Sequence, residues 1–546
     1  MFIYTRYFFP SFTWHFFVFL IILQRVPSSE GVWPMPQKIS QSSEQYLLNP
    51  EEFSFQYAED SITQAGCSVM DAAFKRYFKL FFPGYTADTG KLSLSLSLSL
   101  SIYIYICGMG NFTMVVRVQE EGCEGYPSAG SKENYKLSVS AGHGELTANT
   151  VWGALRGLES FSQLIYEDDY HTYYINKTEI EDFPRFEYRG ILLDTSRHFL
   201  PVKTILKALD AMAYNKFNVL HWHIVDDSSF PYQSQSFPKL STKGAFHPQT
   251  HVYTQVDVHK VISHARLRGI RIIPEFDSPG HTQSWGKGQP DLLTSCYKGS
   301  QPSGTFGPVN PTLSATYKFM AHLLREVSTL FPDSYIHLGG DEVDLSCWKS
   351  NPDVRVFMSK MGFGTDYGKL ESLYWKSMMS ITATLNKTSI VWQDVFHHHD
   401  IPSSLDVVEI WRGGCYMCEV RKMTAAGVRV ILASPWYLDQ PRPIHEWSHY
   451  YTVRPFAFMG TEHQRRLLIG GEVCMWGEYV DATNLAPYLW PRASAAAERL
   501  WSDEAQTSSV SQAYPRLADF RCRLLRRGVQ AHPLFVGHCK HEYEDL

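Results

Sequence analysis

The sequence predicts an α/β protein whose main body is a closed (β/α)8 barrel. Three observations carry that expectation. From residue 186 onward, short apolar runs alternate with amphipathic helical stretches; the runs number eight; and chemically capable side chains gather at their carboxyl ends, where such a barrel keeps its active site. An open doubly wound sheet is the alternative built from the same alternation.

The eight runs are 190–195 (GILLDT), 219–226 (VLHWHIVD), 271–277 (RIIPEFD), 335–341 (YIHLGGD), 390–395 (IVWQDV), 407–412 (VVEIWR), 429–437 (RVILASPWY) and 468–478 (LIGGEVCMWGE). Between them, stretches such as 202–216, 256–269 and 313–330 repeat apolar residues every three or four positions, as helices packed outside a barrel require. At or just beyond the ends of the runs stand Arg197, Asp226, Asp227, His281, Asp341, Glu342, Trp392, Trp411, Tyr437, Asp439, Trp476 and Glu478. Any one of these reads most simply as a solvated charge or a packed ring. Their common placement is what marks a site.

With 546 residues, 44% hydrophobic and 14% aromatic, the chain can bury more than one core, and two domains are expected. A formal charge of -5 offers no basic field for a nucleic-acid backbone and no polybasic patch for an anionic membrane, so a neutral or mixed ligand fits better. Residues 1–30 place Arg6 before the apolar run 16–23 and small polar residues near Ser28, the layout of a secretory signal. No later run reaches the ~18 apolar residues of a membrane-spanning helix, so a soluble, lumenal chain is expected.

Ten cysteines suit an oxidising compartment, where Asn111, Asn176 and Asn386, each two residues before a threonine, are candidate glycan acceptors. No cysteine or histidine spacing matches a zinc site, and the run His397, His398, His399, Asp400 reads as a solvated loop; no metal and no cofactor are expected. One segment looks foreign. Residues 92–101 read LSLSLSLSLS and 102–106 read IYIYI, which dinucleotide repeats in a translated intron would encode. Strict alternation is also the period of a strand, so a pair of strands is the second reading of the insert at 91–110. A transcript read across residues 85–115 separates the two.

The sharpest motif is HLGGDEVD at 337–344, where two carboxylates follow a pair of glycines. Irregular backbone at a strand end lets Asp341 and Glu342 approach one ligand from different angles and play different roles. Most retaining glycosidases instead oppose an acid and a nucleophile ~5 to 5.5 Å apart on separate strands. Adjacent carboxylates therefore point to a nucleophile supplied by the substrate.

At these residues the sequence resembles the family 20 β-N-acetylhexosaminidases, and closely their animal lysosomal type. The resemblance runs from about residue 31 to 546 apart from the insert. Its motifs are VWGALRG at 151–157, LDTSRH at 193–198, HWHIVDD at 221–227, EFDSPGH at 275–281, the Asp341-Glu342 pair and WGE at 476–478. It implies a smaller α/β sheet domain over residues 31–185 and the catalytic barrel over 186–546. It also implies retaining, exo-acting removal of terminal N-acetylglucosamine or N-acetylgalactosamine in the lysosome through an oxazolinium intermediate. In that chemistry Glu342 is the acid and base, Asp341 holds the acetamido N–H, and Tyr437 holds the acetamido oxygen. Trp392, Trp411 and Trp476 wall the sugar, Arg197 and Glu478 bind ring hydroxyls, and Asp226 with His281 supports the acid.

The same resemblance implies disulfides Cys67–Cys123, Cys296–Cys347 and Cys522–Cys539, with Cys474 unpaired and Cys107, Cys415 and Cys418 unassigned. It further implies a homo- or heterodimer with a related subunit. The sequence carries marks of both animal chain types: GSQP at 299–302 resembles the alpha chain, whose loop engages a ganglioside activator protein, whereas Asp439 resembles the beta chain and, with Gln440, disfavours 6-sulfated sugars. Arg442 nearby is the counter-argument. Two rivals remain: a sugar-binding protein on an inactive scaffold, against which Asp341, Glu342 and Tyr437 stand, and an enzyme cutting inside chitin chains, which releases oligomers rather than monomers.

Overall fold

The computed structural model describes residues 31–85, 112–398, 406–439 and 446–539. The expected leader, the insert at 91–110 with Cys107, and Asn111, His399, Asp400, Gln440 and Arg442 lie outside the described residues. Among those described, no helix is long and apolar enough to cross a membrane.

The N-terminal part is a mixed sheet of β1 (Lys38–Leu48), β2 (Ser54–Tyr57), β3 (Thr113–Val118), β4 (Tyr135–Ser140), β5 (His143–Ala148), β6 (Tyr166–Glu167) and β7 (Tyr173–Asp182), in the order β1-β7-β4-β5-β3-β2 with β6 on β7. The helix Val151–Leu164 is buried along its whole length. It fits only because glycines face its neighbours: a Cβ on Gly157 would stand 2.2 Å from Leu146 and one on Gly153 would stand 2.4 Å from the Asn134 carbonyl.

The rest of the chain closes into a barrel of eight parallel strands. They are β8 (Tyr188–Asp194), β9 (Val219–Val225), β10 (Arg271–Phe276) and, after the hairpin β11 (Leu293–Lys298) and β12 (Gln301–Val309), β13 (Tyr335–His337), β14 (Thr388–Trp392), β15 (Val407–Ile410), β16 (Arg429–Leu432) and β17 (Leu468–Met475). Each of the eight expected runs supplies one of them. The strands stop earlier than the runs, because the polar ends leave the sheet to build the site.

Side chains along each strand alternate between the barrel interior and the outer helices. On β9, Leu220, Trp222 and Ile224 join the large outer core, while Val219, His221 and His223 face inward. The interior is layered. Tyr188, Val219, Ile273, Tyr335, Ile390, Val407, Ile431 and Ile469, one from each strand, form an apolar plug at the amino-terminal end. Above it lies a fully buried polar layer of His221, His223, Glu275, His337, Glu409 and Glu472. A smaller apolar cluster of Leu192, Trp392, Ala433 and Cys474 closes the top.

Buried ions join the sheet to the barrel. Glu133, in the loop before β4, accepts hydrogen bonds from Arg156 at 2.7 Å and from Arg189 of β8 at 2.7 and 2.8 Å. Burial works against its charge, but the two guanidiniums outweigh burial and hold the carboxyl below the usual range. Lys216 Nζ lies 2.8 Å from Asp182 of β7, which also accepts from Trp501 Nε1 at 3.0 Å.

The structure pairs Cys67 with Cys123, Cys296 with Cys347, Cys522 with Cys539, and Cys415 with Cys418 at the start of the helix Tyr416–Ala425; Cys474 is buried and free. Asn176 is only 1% exposed, its amide donating to the Ser42 carbonyl and accepting from Tyr166, whereas Asn386 is exposed. One expectation changes. His397 and His398 end the helix Gln393–His398 rather than lying in a loop, and His397 Nε2 stands 2.8 Å from Glu419.

Replacing Glu133 by alanine would leave Arg156 and Arg189 buried without their carboxylate. Glu133→Ala should therefore cost about 3–5 kcal/mol of unfolding free energy, read as a lower urea midpoint. An unchanged midpoint would show that this triad does not hold the two parts together.

Candidate functional site

The site begins where β13 ends. Beyond His337 the backbone turns through Gly339 (φ 70°), Gly340 (φ 106°) and Glu342 (φ 51°). Gly339 is dictated by Asp277, from whose Oδ1 a Cβ would stand 1.7 Å, and Gly340 by the Trp375 ring and Val395, which occupy the place of its Cβ; the Gly340 N–H donates to the same Asp277 oxygen at 2.8 Å. This turn gives the adjacent carboxylates unlike surroundings. Asp341 is 9% exposed, with its Oδ1 lacking a hydrogen-bond partner among the described residues, while the Glu342 side chain is 55% exposed.

His281 faces both. Its Nε2 lies 3.8 Å from Asp341 Oδ2 and 3.9 Å from Glu342 Oε2, and its Nδ1 is 3.3 Å from Asp226 Oδ1. Burial alone would discharge the imidazole, but Asp277, Asp226 and Asp341 outweigh burial and push its pKa up to about 11. Asp341 moves the opposite way from an ion-paired carboxylate. Burial, opposed by His281 and reinforced by Glu275 and Asp394, pushes it up to about 6. Asp277 is raised well above the usual carboxylate range by burial and by Asp341.

A polar wall rises from β8 and β9. Arg197 reaches Asp194 at 3.1 Å, Asp226 at 2.9 Å and Glu478 at 3.8 Å, and lies over the Trp476 ring. Burial opposes its charge, yet these carboxylates hold the guanidinium more firmly protonated than usual. Burial likewise opposes the charge on Asp226, but His223 and His281, with Arg197, keep that carboxyl well below the ordinary range.

The opposite wall is apolar. Trp411, Tyr437 and Trp476 pack on the Leu192, Trp392, Ala433 and Cys474 cluster. Two indoles are held at the ring nitrogen and one by packing: Trp392 Nε1 donates to Glu275 at 2.8 Å, Trp411 Nε1 donates to Asp394 at 2.7 Å, and Trp476 packs edge-on against His223. Tyr437 stacks on Trp411 at 6.4 Å, and burial raises its hydroxyl well above the ordinary value. Asp439 is half-buried close to Cys474. Flat apolar rings, charged donors and acceptors, and the adjacent carboxylates Asp341 and Glu342 are thus brought together beyond the carboxyl ends of the strands.

Of the residues expected at the strand ends, Arg197, Asp226, His281, Asp341, Glu342, Trp392, Trp411, Tyr437, Trp476 and Glu478 are linked by these contacts. Asp227 differs: it is exposed and accepts from the Gln283 N–H at 2.8 Å. Sequence reasoning missed Asp194, His223, Glu275, Asp277 and Asp394. Strand alternation held the signal for His223, Glu275 and Asp277, which share the inward face with site residues. Among the described residues, four trios of donor atoms lie within 4.8 Å of one another: His221–Glu275–His337, His221–Glu409–Glu472, Asp226–Asp277–His281 and His281–Asp341–Glu342.

The family described as glycosyl hydrolase family 20, catalytic domain, matches residues 186–504, and the one described as beta-acetyl hexosaminidase like matches residues 32–164. The chain is 53% identical to beta-hexosaminidase subunit alpha of Bos taurus over 94% of its own length and 96% of that protein. It is 50% identical to beta-hexosaminidase subunit beta of Homo sapiens over 94% and 90% of the two chains. Among solved structures it resembles Flavobacterium johnsoniae chitobiase, with TM-score 0.76 and 27% identity over 91% of this chain and 73% of that one.

The raised pKa of Asp341 has a measurable cost. Its folded value of about 6 exceeds its ordinary 3.8, so the folded state binds the proton more tightly. That contribution is complete below pH 4 and lost as pH rises through 6. Asp341→Asn should therefore stabilise the fold at pH 7 by on the order of 1–3 kcal/mol, with the advantage vanishing below pH 4. Unfolding midpoints that differ equally at both pH values would refute this.

Proposed function

The chain belongs to glycosyl hydrolase family 20 and is a glycoside hydrolase of the β-hexosaminidase type, and from that premise we propose that it removes single terminal N-acetylhexosamines with retention, using the sugar's own acetamido group as nucleophile. The observation that carries this reading is the placement of Asp341 and Glu342. Their nearest oxygens and His281 Nε2 lie within 4.8 Å of one another, so the carboxylates share one imidazole and leave no space for a sugar between them. A protein nucleophile would have to face the acid across the ring.

In this reading the acetamido oxygen attacks the anomeric carbon while Glu342, the more exposed of the pair, delivers its proton to the departing glycosidic oxygen. The bond to the leaving group breaks and a cyclic oxazolinium forms. Asp341, buried and with an oxygen to spare, accepts the acetamido N–H and balances the positive charge that develops there; Tyr437 donates to the acetamido oxygen and keeps it in line. Glu342 then takes a proton from water, which opens the ring at the same face as the original substituent. Trp392, Trp411 and Trp476 exclude bulk water and pack the sugar and its methyl group, and Arg197 with Glu478 takes ring hydroxyls. The His281–Asp226 pair keeps positive charge beside the acid.

Relatives named as subunits support assembly with a second copy or a related chain. The exposed β11–β12 turn at 299–302, tied down by Cys296–Cys347, is the surface we assign to a ganglioside activator protein, and glycolipids join soluble glycans as substrates. The resemblance to the animal lysosomal type supports a lysosomal site of action as part of this reading.

Glu342→Gln should lower kcat on a chromogenic N-acetylglucosaminide by at least ~1000-fold with little change in ligand binding. A thiazoline mimic of the cyclised intermediate should inhibit strongly, and trapping a glycosyl ester on any carboxylate would sink the substrate-assisted route. With Asp439 at the pocket, the neutral sugar should be preferred over its 6-sulfate by roughly tenfold or more in kcat/KM. Equal rates would remove Asp439 and Gln440 as selectivity residues.

A further inference from the structure

Beneath the site, one side chain touches residues of both walls. Glu275 of β10 is fully buried. Its Oε1 accepts the Trp392 indole N–H at 2.8 Å and lies 3.1 Å from His337 Nδ1. Its Oε2 lies 3.1 Å from His221 Nε2 and is hydrogen-bonded to His223 Nδ1. The chain of contacts continues upward: His223 Nε2 is 2.8 Å from Asp226 Oδ2, and that carboxylate holds Arg197 at 2.9 Å and His281 at 3.3 Å.

We propose that Glu275 is a positioning residue for the reaction, fixing the apolar wall through Trp392 and the polar wall through His223 with the two oxygens of a single carboxylate. The inference rests on the catalytic reading above and adds to it what sets the two walls in register. A carboxylate is suited to this place because both of its oxygens accept, and donors approach from both sides. Glutamine has one accepting oxygen, so its amide NH2 must face either the indole N–H or the imidazoles. Aspartate keeps the charge but is one methylene short of spanning both. Each variant therefore releases one wall, and a displacement of about 1 Å at the reacting groups is enough to cost roughly 100-fold in rate.

Glu275→Gln and Glu275→Asp, purified as folded protein by size exclusion and far-ultraviolet circular dichroism, should show kcat reduced by about 100-fold with KM moved less than about threefold. The near-ultraviolet dichroism of the tryptophans should change in both. A purely structural role would lower the yield of folded protein but leave kcat per folded molecule and the near-ultraviolet signal as in the parent, and that outcome overturns the proposal. Trp392→Phe keeps an aromatic ring and deletes the N–H, so it tests the same link if the Glu275 variants do not fold. It should lower kcat by about tenfold in the parent and add nothing on Glu275→Asp; full activity of Trp392→Phe overturns the proposal. A parent chain that fails to hydrolyse the substrate would instead refute the catalytic reading, while the dichroism of the variants would still report on Glu275.

Discussion

The buried ionic layer at the middle of the barrel is the constraint on which the rest of the molecule depends. Charged groups removed from water are costly unless each meets an opposite charge at short range. Here Glu472 accepts from the Tyr188 hydroxyl at 2.6 Å and faces His221 at 2.7 Å, His221 faces Glu275, and Glu275 meets His223, His337 and Trp392. Such a layer tolerates little movement, because a shift in one member leaves another without its partner. Barrel interiors are more often filled by branched aliphatic side chains. This chain keeps those for the plug below and spends its middle layer on orientation of the groups above.

That arrangement explains how the cleft can be both apolar and charged. The indoles cannot turn freely, since Trp392 and Trp411 are each held at the ring nitrogen, and the cations cannot drift, since Arg197 and His281 share Asp226. The strain-prone backbone at Glu342 belongs to the same design. Asp277 occupies the space that any side chain on Gly339 would need, so the turn that separates Asp341 from Glu342 is shaped by a neighbouring strand.

Much of this was legible in the sequence because strands and helices print their periods on it. The eight apolar runs gave the barrel, and the polar residues ending them gave most of the cleft. What escaped notice were residues whose importance lies in long-range pairing. His223 and Glu275 sit inside apolar runs, 52 positions apart, and only closure of the barrel brings them together. Asp394 follows Trp392 closely, yet its partners Trp411 and Arg412 lie on the next strand's end. The Cys415–Cys418 bond and the burial of Asn176 were likewise invisible to local pattern, since a cysteine pair or a glycan triplet reads the same whether buried, bonded or free.

The ion pairs between the sheet and the barrel bear on how this protein can be rebuilt. Arg189 and Lys216 belong to the barrel, whereas their counter-charges, Glu133 and Asp182, belong to the part before it. Separated at that seam, each half would carry bare charges on a surface shaped for contact. The barrel is thus not a portable cassette. A chimera that exchanges it for a relative's must carry these partners across as a matched set.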